Sequence, residues 1–449
     1  MNTSPNNATL QSNTPEQEYA QETKLINLSI TKSSSHIAQA CVEIGSNLIL
    51  PIYNQTVNLF KKRHQNGFSN KDVPVEYLEE THNQEINQKL KNYIFNHIVI
   101  DFLINELINQ KIPFANYPRL NTITNTDQNN ISYIFDLSLT EPIELKEWKN
   151  FAFKSPKRKR YKDLDKQVKQ FLESQSGFSS TTQPDAIEES DWVQFSAILL
   201  DENNTPLLQE LESNFWIKIQ QSELSCKFKN TFIGKNLGET FISNNLNFDD
   251  SSEAASDFEH TYLVTIKAIV KGQSLSIERF KQLFKLKNKT EIHNKIMEVF
   301  SYRNDISQRK NIIEEIFNLL LSKHRFEIPK HLVLRKQEEI LLNLTAQPDY
   351  HVYKSQKDFL KCVELLAEKN LKEESLIDQI AYHENIKIDT YDIQNYLNLL
   401  NQKRMCEFVY FKPPIEKIED LHTPFSHSII SHTVLREKTM NYVIYNLTK

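Results

Sequence analysis

The sequence predicts a multidomain α+β protein: an α+β module first, a β-rich module next and an all-α module last. Three observations predict it. A chain of 449 residues has room for about three cores. Apolar residues alternate in short runs through the first and middle parts, but recur at helical spacing from 276 to 402. Charge is also uneven, with ten Lys/Arg against three acids in 146–169 and fifteen acids against four bases in 185–260, although the net charge is only −5.

Residues 1–21, rich in Asn, Ser, Thr and Gln, read as a disordered tail. The first module, 22–141, opens with two strand-like runs at 25–30 and 37–44. Pro51 precedes an amphipathic helix over 57–64, and a long helix follows over 75–107, with Ile86, Leu90, Tyr93, Ile94, His97 and Ile98 at helical spacing. A third strand is predicted over 131–139. The segment 142–190 reads as a basic helix at 160–173 and a Ser/Thr/Pro linker at 174–184. The second module, 191–272, has strands at 192–200, 215–219 and 260–270. The third, 273–449, is helical, with breaks at Pro329 and Pro348, a short strand at 406–411 and a last helix at 431–447 that reads as an ordinary amphipathic one.

Several function classes are excluded. There is no G-x-x-x-x-G-K-[ST] loop, no H-E-x-x-H and no G-x-S-x-G, and six glycines cannot supply a dinucleotide fingerprint. No cofactor or metal is expected. Cys41, Cys226, Cys362 and Cys406 form no C-x-x-C pair, which fits a reducing cytoplasm. No apolar run approaches the roughly 20 residues of a membrane span, so no membrane partner is expected.

The stretch from Asn66 through Gly67, Phe68, Ser69, Asn70, Lys71, Asp72 and Val73 to Pro74 stands out. It places a scarce glycine and an aromatic ring in a polar loop between helices, with Pro74 positioned to open the second helix. Two readings of Phe68 are open: a ring tucked into its own core, or a ring presented for docking.

In order and spacing, these motifs resemble trigger factor, a family of ribosome-associated chaperones. Gly67, Phe68 and Pro74 match the family's G-F-R-x-G-x-x-P loop. Asp191 and Val193 match a G-D-x-V entry to an FKBP-like domain, and Phe228, Gly234, Gly238 and Glu239 match its G-F-E…G-x-x-x-G-E segment. Ile328, Pro329, Leu332 and Val333 match the opening of an arm helix, and Ile380, Ala381, Glu384, Ile386, Asp392 and Ile393 match a later arm segment. The resemblance spans about residues 24–400. It implies a ribosome-docking first module, an FKBP-like second module and a helical chaperone module that takes in the linker.

The implied partners are the ribosome, through tunnel-exit protein and rRNA, and nascent or unfolded polypeptides, with the chain a monomer or weak homodimer. The implied ribosome contacts are Gly67, Phe68, Ser69, Lys71 and Pro74. The implied isomerase pocket uses Phe228, Tyr262, Phe215, Trp216 and Phe241. No nucleophile is needed, because an apolar pocket that twists the imide lowers the barrier. The sequence departs from the family at Ser69, where an arginine is expected, and at Lys71, Lys227 and Ala197. These departures imply weak isomerase activity, with a chaperone-like interaction protein that lacks both ribosome binding and isomerase activity as the alternative. The apolar stripes of the arm helices (Ile312, Ile313, Ile316, Leu319, Leu320; Phe359, Val363, Leu366, Leu371, Ile377, Ile380) are expected to face mainly other helices.

Overall fold

The computed structural model describes residues 26–34, 36–62, 73–125, 130–154, 186–208, 211–219, 230–244, 246, 260–272, 287–294, 306–345, 347–401, 408–413 and 424–448. The tail at 1–21, the basic helix at 160–173 and the linker at 174–184 lie outside these.

Alternation of small and branched residues builds the first sheet. Its order is β1 (Ile26–Lys32), β2 (Ile37–Ile44), β4 (Ile131–Ser138), β3 (Arg119–Asn125), all antiparallel. Ala38, Ala40, Val42 and Ile44 of β2 and Tyr133, Phe135 and Leu137 of β4 turn to one buried face. Three helices cover that face: α1 (Ser46–Lys61), α3 (Asn83–Ile94) and α4 (Ile100–Asn109), with the short α2 (Val75–Thr81) alongside.

Two expectations are corrected here. Helix α1 starts at Ser46, so Pro51 lies inside it rather than ahead of it. The predicted helix at 75–107 breaks at His82, whose φ of −122° and ψ of 14° leave helical space, and it widens into a π turn at Phe95–Val99.

The second sheet has the order β7 (Thr240–Ser243), β8 (Tyr262–Val270), β5 (Trp192–Leu199), β6 (Ser213–Lys218), β9 (Phe425–Ser426), again antiparallel. Its last strand comes from near the C-terminus and pairs Phe215 with Ser426 and Trp216 with Phe425. Both faces are covered. Val193, Phe195, Ala197, Phe215 and Ile217 turn towards the first module, while Trp192 and Trp216 turn towards the helices.

Strand β8 serves both faces through one bulge. Gln194 pairs with Ala268 and Phe195 with Ile266, which leaves Lys267 as an extra residue. Before it, Tyr262, Val264 and Ile266 face the first module; beyond it, Ala268 and Val270 face the helices.

The helical module comprises α5 (Ile306–Lys323), α6 (Lys330–Thr345), α7 (Tyr350–Lys354), α8 (Phe359–His383), α9 (Thr390–Asn401) and α10 (His427–Thr448). The breaks fall at Pro329 and Pro348, as predicted. Residues 408–411 are not a strand, a correction to the run predicted over 406–411. Helix α10 is not an ordinary amphipathic helix. It touches α4, α5, α8, α9 and β6, and from Ser428 to Met440 it buries polar as well as apolar side chains. The linker enters this module: Trp148 is buried there, and Ile143, Leu145, Phe151 and Phe153 pack with it.

Candidate functional site

The largest group of exposed apolar side chains lies on one arm. Among the described residues, Leu334, Leu342, Val352, Tyr353, Leu360, Leu365 and Leu366 are between 40 and 63 % exposed, all within α6, α7 and the first turns of α8. Sequence periodicity predicts helices there, and the packing explains the exposure. Outer α8 buries only Val363, Ala367 and Leu371, a single stripe at i, i+4, i+8. Ala367 and Leu371 meet Leu332 and Val333 of α6, together with Ala115 from the first module. Inner α8, from Leu371 on, is almost wholly buried, so the arm has a fixed root and an open end.

The arm leans on the first module. The Arg335 guanidinium donates to the Tyr117 carbonyl at 3.3 Å. Below it, Ile104, Tyr117, Pro118, Arg335, Leu342 and Ile429 line part of a cleft of about 470 Å³. Asp358 starts α8 with a φ of 63°, a left-handed conformation that aspartate tolerates better than most residues.

A buried charge network holds the root. The Arg436 guanidinium donates from Nε and Nη2 to the two Asp378 carboxylate oxygens at 2.8 and 2.7 Å, and from Nη1 to Glu374 at 2.9 Å. Burial alone would raise the Asp378 carboxyl, but Arg436 and His432 outweigh it and hold it near 2. Close by, Arg309 pairs with Glu437 at 2.7 Å, and Glu437 accepts the Tyr410 and Phe411 amide protons. Burial lifts the Glu373 carboxyl to about 7, although the Tyr410 hydroxyl, donating at 2.6 Å, draws it down. No sequence signal pairs Arg436 with Asp378, since 58 residues separate them.

The structure scatters the residues singled out by sequence. Gly67, Phe68, Ser69, Lys71 and Phe228 lie outside the described residues. Pro74 is exposed at the start of α2, and Val73 beside it is buried. Phe215 and Tyr262 come together, but both are buried against the first module. The His97 ring stacks on Tyr262 at 5.4 Å and meets Phe215 edge-on at 5.2 Å. Trp216 turns to the opposite face, where Nε1 donates to His427 Nδ1 at 3.0 Å. Phe241 packs on Phe232 at the β7 edge. These four described rings therefore do not line one open pocket.

The remaining motif residues have local structural tasks. Asp191 is buried; it accepts the Glu188 and Gly272 amide protons and pairs with Lys271 at 2.9 Å. Gly234 and Gly238 both have φ of +80°, where a side chain would be strained. Of the arm residues named from sequence, Ile313, Ile316, Leu320, Val363, Leu371, Ile377 and Ile380 are buried, and Leu366 is exposed.

Comparison with known proteins places the helical module. Residues 287–444 match the family described as bacterial trigger factor protein (TF) C-terminus. No curated protein sequence matches the chain. A solved structure described as "Promiscuous Substrate Recognition in Folding and Assembly Activities of the Trigger Factor Chaperone" is similar at 12 % identity and a TM-score of 0.36, covering 94 % of this chain and 100 % of that one. Residues 287–444, about a third of the chain, are thus similar to the C-terminal part of bacterial trigger factor.

Proposed function

We propose that this protein is an ATP-independent chaperone that holds nascent or unfolded polypeptides on the open end of its arm. The observation that carries this reading is the concentration of exposed leucines on α6 and outer α8. The match of residues 287–444 to the trigger factor C-terminus supports it. Unfolded chains expose apolar side chains, and each one fully buried against such a surface gains about 1.5–3 kcal/mol. Leucines spaced along a helix offer several weak contacts instead of one hot spot, which suits fast release and broad specificity.

Ribosome docking through Gly67, Phe68, Ser69, Lys71 and Pro74 belongs to the same proposal, together with a cytoplasmic location. It rests on the loop motif, and the exposure of Pro74 supports it. Ser69 removes a charge-assisted contact that an arginine would supply, so binding falls to Lys61, Lys62, Arg63 and Lys71, which act less selectively. Lys62 is partly engaged with Glu202 at 3.6 Å. Cosedimentation with ribosomes tests the docking; unchanged binding by Phe68→Ala/Lys71→Ala rules out the loop.

Weak prolyl isomerase activity is the remaining component. The burial of Phe215 and Tyr262 favours a second reading, in which the five-stranded sheet is a scaffold without isomerase activity. A proline-containing tetrapeptide assay on the full chain decides between them: a rate equal to buffer alone leaves the scaffold reading.

The client surface is tested by light scattering from a heat-denatured test enzyme. The wild-type chain is expected to suppress aggregation near equimolar ratio, and suppression by a Leu360→Ser/Leu365→Ser/Leu366→Ser variant equal to wild type excludes the arm.

A further inference from the structure

The first module and the β5–β8 sheet meet at a cluster of rings. The His97 imidazole lies nearly parallel to two phenol rings in a triangular cluster, with centroids 4.3 Å from Tyr93 and 5.4 Å from Tyr262, interplanar angles of 16° and 10°, and the two phenols 6.4 Å apart. Tyr93 also meets the His260 ring at 5.3 Å. The backbone joins in: Ser213 Oγ on β6 donates to the His97 carbonyl at 2.9 Å, within the π turn. His97 and His260 are both buried.

We propose that Tyr93, His97, His260 and Tyr262 form an acid-released latch that holds the α3–α4 helix of the first module over the Phe215–Tyr262 face of the second sheet. Stacked neutral rings pack well, whereas a buried imidazolium loses its hydration without recovering it. Among the described residues, the groups facing His97 include Tyr93 on α3, Ser213 and Phe215 on β6, Tyr262 on β8 and the His260 ring. Those facing His260 include Lys89 and Tyr93 on α3, His97 in the π turn and Tyr262.

Ring faces attract a cation, but a second imidazole and Lys89 oppose one here. Burial first, and these neighbours next, hold both imidazoles down at about 3. The ring nitrogens of His260 have no hydrogen-bond partner among the described residues.

The sign follows from linkage. Above the ordinary histidine value of 6.5 both imidazoles are neutral whether the latch is closed or open, and the latch holds. Below it, the open form takes up protons that the closed form refuses until about pH 3. Each histidine then weakens closure about tenfold per pH unit, so the two together weaken it about a hundredfold at pH 5.5. Opening uncovers Phe215 and Tyr262, an apolar aromatic face that is otherwise unavailable. This latch is independent of the client surface on the arm.

Hydrogen exchange read by mass spectrometry on the full chain tests it, with rates corrected for the intrinsic effect of pH. Between pH 7.5 and 5.5, protection at 93–97, whose helix is marginal once undocked, should fall about a hundredfold, while 313–320 in the helical core stays protected. His97→Phe/His260→Phe keeps the rings and removes the titration, so its protection should not change with pH. If circular dichroism shows that this double variant does not fold, His260→Phe alone should show about a tenfold fall. Unchanged protection in the wild type overturns the latch. So does a loss shared equally by 313–320, which is global unfolding, or an undiminished loss in the phenylalanine variant.

Discussion

Replacing Arg436 with methionine is predicted to destabilise the helical module strongly, although methionine packs well in a core. Arg436 is 7 % exposed and makes three charge-assisted hydrogen bonds, two to Asp378 and one to Glu374. Removing it leaves Asp378 buried with His432 3.4 Å away. Breaking one side of a buried ion pair costs about 3–5 kcal/mol, mainly the desolvation of the stranded charge.

The pH dependence should change sign as well. In the wild type, Asp378 is held near 2 against an ordinary value of 3.8. It therefore contributes about 2 kcal/mol above pH 4, which is lost as pH falls through 2. Without Arg436, burial raises the carboxyl, and stability then falls as pH rises. All three tryptophans report on this region, since Trp148 packs with α5, α8 and α10 and Trp192 and Trp216 lie between the sheet and α9–α10. Urea unfolding followed by their fluorescence is the assay. Arg436→Met/Asp378→Asn should recover most of the loss, because no charge is stranded at Asp378. A single variant as stable as the wild type, or a double variant as unstable as the single, would refute this reasoning.

Other outcomes follow from the same network and the arm. Glu373→Gln should stabilise the protein at pH 8 and not at pH 4. Burial lifts the wild-type carboxyl from 4.5 to about 7, so stability present below 4.5 is lost as pH rises through 7, by up to about 3 kcal/mol. Urea titrations at the two pH values check it. Leu371→Ala empties a fully buried site between α6 and α8 and should cost about 2–5 kcal/mol, whereas Leu365→Ala on the open face should stay within about 0.5 kcal/mol by the same assay.

Sequence patterning reads well where one face is buried and the other wet. Strand β2 begins and ends where its alternation does, and α5 carries the stripe of Ile312, Ile313, Ile316, Leu319 and Leu320 at the helical spacing expected of it. It reads poorly where neighbours decide. Strand β3, Arg-Leu-Asn-Thr-Ile-Thr-Asn, sits on the sheet edge and buries no residue fully, so it carries no apolar alternation to detect. Strand β7 is four residues long. The two-faced use of β8 comes from a bulge at Lys267 that the alternation conceals.

For α10, polar side chains suggest a wet face, but Arg436 and Glu437 are buried because Asp378 and Arg309 meet them from other helices. The arm shows the same limit in reverse. Leu366 belongs to the expected helical stripe with Val363 and Leu371, and only the position of α6 leaves it uncovered. The pocket residues carried over by resemblance share strand positions with the scaffold, and the helix at 93–97 that covers two of them lies more than 100 residues away in the sequence.

The proposed chaperone activity rests on the open end of the arm as a client surface. Its most direct measurement is light scattering from a heat-denatured test enzyme in the presence of the wild type and of Leu360→Ser/Leu365→Ser/Leu366→Ser, with circular dichroism to show that both are folded. Suppression by the wild type is expected, with most of it lost in the variant at unchanged helix content. Equal suppression by the two proteins would contradict it.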